Sequence, residues 1–475
     1  MTTSQITVIG GGISGLATAW WLRKQGYSVT LLEKEAEVGG TMKTVMNDGW
    51  LIETGPNSAL ETTPLFKTLC ADIGIMDELV YANPAGKNRY IVREGMLHPL
   101  PMSPAKFLKS KLWSLRGKLR LLKEPFVGRA TKEESVAEFV VRRLGREFLD
   151  YAINPFVAGV FAGSPEQLSV RAAFPKLYAL EATYGGLIRG QLAGARERKK
   201  RGEVAKDRAQ MFSFRHGMQT LPHALHRALG NAVKTSALVQ TIDWNEQTNT
   251  YTIHYSLEGT ASSLSSKVIV FAVPASVVAT LIKPFDGSLS QMIHGIYYPP
   301  VTEVFVGYKA DTVKRPMDGF GFLIPEKEQR KILGAIWSST LFEGRAPKDH
   351  VAMTVFVGGA RQPEIAAYGD AELRVLVHQE LKELMNITGD PVFLHIQRWE
   401  KAIPQYHLGH LQIMERVLQF EQQHPGLFLS GNYRGGISVG DCIIQSEHMS
   451  RRVTEFLETQ TSLMAGEIPL PIGLN

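Results

Sequence analysis

The chain has 475 residues, 44% apolar and 21% charged, which is too long for one hydrophobic core and ordinary for a soluble globular protein of two or three domains. Its net charge is a modest +6, and no apolar run reaches the roughly 18–20 residues needed to cross a bilayer. Two distant cysteines, Cys70 and Cys442, exclude a disulfide framework or a four-ligand cysteine metal site and suit a reducing compartment.

The first strand, Ile6-Thr7-Val8-Ile9, starts almost at once, which is read as leaving no room for a signal or transit peptide. It is a short apolar run of the kind buried in a parallel sheet, and it leads directly into Gly10-x-Gly12-x-x-Gly15 and a helical pattern from Leu16. In that order the first glycine permits the tight turn, the second lets backbone approach a pyrophosphate, and the third lets the helix pack on the strand. The unpaired N–H groups of the helix N-terminus then face the phosphates. A second strand, Ser28–Leu32, ends in Glu33, eighteen residues past Gly15, where a ribose-binding acid belongs. An acid there suits a free 2′-hydroxyl, hence FAD or NAD and not NADP.

A glycine pair, Gly39-Gly40, offers the backbone a second close approach, and the strand from Trp50 ends in the turn Thr54-Gly55-Pro56-Asn57. Residues 60–80 read as an amphipathic helix with Leu65, Phe66, Leu69 and Ile73 at helical spacing. A short strand follows at 87–92, then mostly helical text from 103 to about 195 that suggests an inserted lobe. Strand and helix return at 211–252, with an apolar strand at 267–273. From Pro300, strands at 301–308, 319–324, 331–338 and 351–358, a helix at 370–386 and a strand at 392–399 predict an antiparallel, half-exposed sheet. Finally Leu427–Gly431 runs through Asn432 and Gly435–Gly440 into a helix, repeating the opening strand, glycine turn and helix.

Charge is unevenly spread. Residues 106–123 carry seven basic residues and no acid, and 189–208 carry eight basic and three acidic residues. Together these segments hold +12, leaving −6 on the remainder. Nucleic-acid binding would want more stacking aromatics among the cations, so no nucleic-acid partner is expected. Residues 104–123 mix Phe107, Leu108, Leu112, Trp113, Leu115, Leu119 and Leu122 with lysines and arginines, as interfacial helices do, and point to an anionic membrane surface. The expected location is cytoplasmic, peripherally attached to the inner face of the cell membrane. His216, His223 and His226, and His407 with His410, lack the carboxylate or cysteine company of a zinc site; they are read as capping or surface residues, and no metal is expected.

The segments Thr54–Ser58, Asn88-Arg89-Tyr90, Gly159–Gly163, Gln167–Ser169, Gly319–Leu323, Phe356–Ala360, Ile403–His410 and Gly435–Gly440 occur in family order along nearly the whole chain. In them the sequence resembles the oxygen-dependent protoporphyrinogen oxidases of the FAD-dependent amine oxidase and phytoene desaturase superfamily. Where that superfamily usually has arginine after its glycine pair, this chain has Thr41, with Lys43 nearby. The resemblance implies an α/β FAD-binding domain (Rossmann-like, glutathione-reductase-type) from residues 1–86, 209–285 and 424–460. An α+β substrate domain would come from 87–102 and 286–423, a helical membrane-binding lobe from 103–208 and a tail from 461–475. It implies FAD contacts at Gly10, Gly11, Gly12, Ile13, Ser14, Gly15, Glu33, Lys34, Gly39, Gly40, Thr41, Thr54, Gly55, Pro56, Asn57, Val239, Asn432, Ile437, Ser438 and Val439. Contacts spread so far apart require a long ligand, which favours FAD over NAD.

The implied substrate is protoporphyrinogen IX, a flexible, largely apolar tetrapyrrole with propionates, and the implied oxidant is dioxygen. Arg89 would pair with a propionate, and Phe320, Leu323, Ile336 and Phe356 would form apolar walls. The Gly159 carbonyl would face a pyrrole N–H, and Asn57 would lie beside the reacting carbons as the candidate catalytic residue. Taken alone, the apolar residues would read as plain core and Arg89 as a surface arginine. Coproporphyrinogen III, with four propionates, is the nearest alternative substrate. A flavin amine oxidase, a carotenoid desaturase and a non-catalytic escort are further alternatives. The oligomeric state, a homodimer among the options, stays open.

Overall fold

Thr2–Ile9 is the centre of the first of two seven-stranded sheets in the computed structural model, which describes residues 2–193 and 209–464. Most of the basic segment 189–208 and of the tail 461–475 lies outside the described residues. Thr2–Ile9 pairs in parallel with Val29–Leu32 on one side and with Thr260–Phe271 on the other. Val233–Lys234 and Leu427–Leu429 extend the parallel part, and Thr250–Leu257 and Ala237–Asn245 continue from Thr260–Phe271 as an antiparallel meander. Both faces are covered, which is why these strands are continuously apolar. Ile6, Val8, Leu31, Val268 and Val270 pack against the helices Ile13–Lys24, Thr220–Leu229 and Val439–Met464. Ile9, Leu32, Ile269 and Phe271 pack against Ala275–Ile282, Gly287–His294 and His410–Gln423.

The second sheet runs in the order Phe393–Trp399, Val301–Lys309, His350–Gly358, Gly334–Ile336, Gly319–Leu323, Asn88–Arg93, Met96–Pro99. It departs from expectation in two ways. Gly319–Leu323 pairs in parallel with Asn88–Arg93, because the latter enters from far upstream by a long connection, not by a hairpin. The sheet is also not half-exposed, since all of Val301–Tyr308 is buried. Val304, Val306, Tyr308, Phe322 and Val355 meet Leu373, Val377 and Leu381 of the helix Asp370–Met385. On the other face Phe305 packs against Trp50 and Ile52 of the first half of the chain, and Val301 and Phe356 pack against Ala158 and Ala162 of the helical insertion.

The helix expected over 60–80 is only Pro64–Asp72, capped by the Thr63 hydroxyl and stopped by Gly74 at φ +70°. Its intended ends, Ala59–Leu60 and Leu79–Tyr81, pair instead with Met211–Phe214 in a three-stranded sheet. The basic helix is broken too. Pro104–Lys109 and Leu115–Arg120 each start at a serine cap, and a 3₁₀ turn, Leu121–Phe126, follows around Pro125. Leu112 and Trp113 between them turn inward against Ile91 and Tyr151, with Phe107 packed alongside, so these three do not face solvent as an unbroken amphipathic helix would present them. His410 is likewise buried, not a surface residue; its ring stacks on Tyr406 and its Nε2 lies 3.0 Å from the Tyr433 carbonyl oxygen.

Candidate active site

The strand Thr2–Ile9 delivers the glycine turn to the C-terminal edge of the parallel sheet, where open α/β sheets bind ligands. A Cβ on Gly15 would lie 1.9 Å from the Gly10 carbonyl oxygen, so only glycine lets the helix seat this close. Gly12 is different: a Cβ there would meet no atom within 4 Å. The open space lies at the start of helix Ile13–Lys24, which has neither a side-chain cap nor an acid in its first turn. Unpaired N–H groups facing an open space suit a pyrophosphate. Ser14, buried in that first turn, accepts from Ser446 through its carbonyl, which ties the C-terminal helix to the opening one.

Glu33 sits beside this turn, buried, with Oε2 accepting from Gly11 N–H at 2.5 Å and Oε1 from Glu35 N–H at 2.9 Å. Each oxygen keeps a lone pair for a ribose hydroxyl. Gly39 bridges to Gly12, and Gly40 packs on it. The half-buried Val239 comes near because Ala237 N–H donates to the Glu33 carbonyl. Lys34 points outward and pairs with Glu35 at 3.1 Å, both side chains exposed.

Three stretches were expected to form the flavin end, and two of them meet directly. A Cβ on Gly55 would lie 1.9 Å from the Thr41 carbonyl oxygen, so Gly39–Lys43 and Thr54–Asn57 run in backbone contact. Thr54 N–H donates to the Lys43 carbonyl at 3.0 Å. Gly440, at the start of the last helix, packs against Thr62 beyond Asn57 and Pro56, while Val439 is buried in the sheet's core and Ile437 packs on the lobe. The Ser438 hydroxyl caps this helix by accepting from Asp441 N–H at 3.1 Å. Tyr406 fixes the preceding turn: its hydroxyl donates to the Asn432 carbonyl at 2.5 Å and accepts from Gly436 N–H at 3.0 Å.

The expected wall residues share one sheet face. Leu323 opposes Gly334, Ile336 opposes Thr354, and Phe356 opposes Glu303, with Arg89 in register with Gly321. Leu323, Ile336 and Phe356 are half-buried, while Phe322, Ala335 and Val355 on the opposite face are fully buried. Gly159, on the helix Asn154–Phe161, presses on Leu323: a Cβ there would lie 2.5 Å from Leu323 Cδ2. Ile336 and Asn57 line the same small cavity. Phe320 stands at the rim, at a bulge, under the exposed Arg89 guanidinium 5.6 Å from its ring. No carboxylate pairs with Arg89 among the described residues.

The cavity holding Asn57 also contains Glu53 and Arg345, which the sequence reading passed over. Glu53 accepts from the Thr44 hydroxyl at 2.7 Å and Met218 N–H at 3.0 Å, with Arg345 Nη2 3.6 Å away. Burial outweighs these partners and pushes its carboxyl up to about 7. Glu303, on Val301–Lys309 of the second sheet, is driven well above the ordinary carboxylate range by burial, assisted by the Glu53 charge. Acids inside the apolar strands Trp50–Glu53 and Val301–Lys309 were the available signal.

The open cradle at Gly12, the buried Glu33 carboxylate beside it and the backbone contact at Gly55 fit an extended FAD. Gly12→Ala is expected to keep the apo-protein's stability within about 1 kcal/mol while weakening FAD binding ~10-fold or more. Gly15→Ala, whose Cβ meets backbone, is expected to destabilise by about 3 kcal/mol. Thermal melts with and without FAD separate the two; equal melts for both variants would contradict the assignment.

The flavin containing amine oxidoreductase family matches residues 13–454. Protoporphyrinogen oxidase 2 of Arabidopsis thaliana is 32% identical over 96% of this chain and 94% of its own length. The coproporphyrinogen III oxidase of Bacillus subtilis is 28% identical over 93% and 96%. A solved structure from Exiguobacterium, provisionally assigned as a protoporphyrinogen oxidase, superposes with a TM-score of 0.79 at 22% identity, covering 96% of this chain and 100% of that one, and so shares its fold. With FAD as the cofactor its turns accommodate, the chain belongs to the flavin-dependent amine oxidoreductases, in the protoporphyrinogen oxidase family.

Proposed function

We propose that the protein oxidises protoporphyrinogen IX to protoporphyrin IX, consuming three dioxygen and releasing three hydrogen peroxide. The observation that carries this reading is the half-buried apolar face of Leu323, Ile336 and Phe356, closed by Gly159 of the lobe and rimmed by Arg89, which has no carboxylate partner among the described residues. Such a slot suits a flat apolar macrocycle with a carboxylate at one edge. FAD held in the cradle would supply the hydride acceptor and the link to dioxygen. The chain's own residues orient and exclude: the walls keep water from the ring, Arg89 holds a propionate, and Asn57 lies with Ile336 where the substrate meets the 54–57 turn. The relatives' substrates agree with this class.

Coproporphyrinogen III is the second reading, favoured by the resemblance to the Bacillus subtilis enzyme. Its four propionates would want more cations than Arg89, the one basic residue among the six wall and rim positions. Porphyrin fluorescence under air, with each porphyrinogen in parallel, decides between them. The expected result is a higher kcat/KM for protoporphyrinogen, and no rate above autoxidation with either would overturn both readings. Arg89→Ala is expected to raise KM ~10–100-fold, with kcat changed less, as loss of a charge-assisted hydrogen bond would.

The lobe supports attachment to an anionic membrane at the cytoplasmic face. Among the described residues no helix is long and apolar enough to cross a bilayer. Leu108, Leu115, Leu119, Leu122 and Phe126 nevertheless stand 55–84% exposed, among the exposed Lys106, Lys109, Lys111, Arg116 and Lys123. Lys118 and Arg120 keep their charge but are held on the backbone carbonyls of Leu108, Ser110, Arg142 and Arg143, so direct headgroup contacts would fall to the other five. Replacing Leu115, Leu119 and Phe126 by serine is expected to lower affinity for anionic vesicles ~10-fold or more. Wild-type protein that failed to bind such vesicles at low salt would contradict the proposal.

A further inference from the structure

The helix Asn154–Phe161, which carries Gly159, has only eight residues, too few to hold its own shape without outside contacts. Both of its ends are held by the stretch that leaves the strand of Phe356. At the far end Ala162 turns left-handed, at φ +49°, and its carbonyl accepts from Ala360 N–H at 2.7 Å. The chain reaches that carbonyl through Gly358 and Gly359, at φ +89° and +69°, and a Cβ on Gly359 would lie 2.7 Å from it. Gln405 Nε2 adds a second support there, donating to the Phe161 carbonyl at 2.7 Å. At the near end the holder is Arg361. Its Nη1 donates to the Ile324 carbonyl at 2.8 Å, and its Nη2 to the carbonyl and Oδ1 of Asn154 at 3.0 and 2.6 Å. Asn154 is itself buried and locked to the same loop, accepting from Glu326 N–H at 3.0 Å and donating to Glu326 Oε2 at 3.1 Å.

We infer that Arg361 is a positioning residue that sets the width of the substrate slot. Its guanidinium ties the start of helix 154–161 to Ile324, the residue directly after Leu323, and so fixes how closely Gly159 approaches the Leu323 side chain. A planar fork bridging two carbonyls and an amide oxygen defines one spacing, which a flexible ammonium would not. The Gly358-Gly359 bend completes the clamp, so one short stretch sets Phe356 on one wall and the helix of Gly159 on the other. Ala158 and Ala162 of the helix pack in one apolar cluster with Val301, Leu333 and Phe356, which passes any shift of the helix to that wall. The cost of this arrangement is visible in Arg361 Nε, which is buried without a hydrogen-bond partner. The inference rests on the reading of this face as a tetrapyrrole slot.

The test measures protoporphyrin IX and FAD dissociation constants of the full-length protein, with hydrogen exchange on the FAD-loaded form. Arg361→Met, which keeps side-chain bulk and removes every donor, is expected to weaken porphyrin binding ~10-fold or more and leave FAD affinity within ~3-fold. The amides of 157–161 are expected to exchange faster in this variant, and those of Thr2–Ile9 unchanged. Gly159→Ala is expected to weaken porphyrin binding ~10-fold in wild type but ~3-fold or less beside Arg361→Met, because an untied helix can back away from Leu323. A merely structural arginine would give additive effects, or equal losses of porphyrin and FAD affinity, and either result would overturn the inference. So would a folded Arg361→Met protein with wild-type porphyrin affinity or wild-type exchange at 157–161. If Arg361→Met does not fold, Arg361→Lys, which keeps the charge without the fork, is read in the same way. Wild-type protein that bound neither protoporphyrin IX nor coproporphyrin III would remove the substrate reading and the inference with it, whereas porphyrin binding that ignores Arg361 removes the inference alone.

Discussion

Main chain touches main chain at the places that make this fold a binding site. The helix from Ile13 rests on the Gly10 carbonyl through Gly15, and the Gly39–Lys43 segment rests on the Thr54–Asn57 turn through Gly55. At either place one added methyl would overlap a backbone oxygen at 1.9 Å, and backbone has no rotamer in which to retreat. These contacts let residues far apart in sequence approach a single extended ligand. FAD suits such a cradle, because its ADP half and its ring system are long enough to be held by separate segments.

The second sheet is organised by what covers it. One face is closed by the helix Asp370–Met385, and the other is shared between the strand Trp50–Glu53 and the lobe, leaving the strip at Leu323, Ile336 and Phe356 incompletely filled. The proposed substrate slot is thus a gap between covers and not a hollow inside the sheet. Buried charge concentrates along its inner edge, at Glu53, Arg345 and Glu303, where desolvation keeps the acids above their ordinary range. A second concentration, Arg143 with Glu124 and Glu181 in the lobe, is paired internally and reads as structural.

Much of the fold was legible in the sequence because local period and position carry it. The parallel core strands are continuously apolar, the glycine turn follows the first of them, and Glu33 ends the second. Arg89 and the wall residues were found through resemblance, since an exposed arginine and a few apolar side chains have no local signature. Pairings across long separations were not legible: nothing near Trp399 says that its indole meets Thr54, or near Arg345 that it faces Glu53. The 60–80 region failed because its ends have strand partners at 211–214, and tertiary pairing outweighed helical spacing. The 104–123 region failed because Leu112 and Trp113 gain more by burial in the lobe than by continuing one amphipathic face.

In the proposed assembly one FAD spans the molecule and presents its ring where the 54–57 turn, the 437–439 turn and the half-buried sheet face would meet. A crystal structure of the FAD-loaded protein with protoporphyrin IX tests it most directly. The expected result has the pyrophosphate at Gly12, the flavin ring between the two turns, and the porphyrin against Leu323, Ile336 and Phe356 with a propionate on Arg89. A flavin ring lying away from Asn57, or a porphyrin bound outside that face, would contradict it.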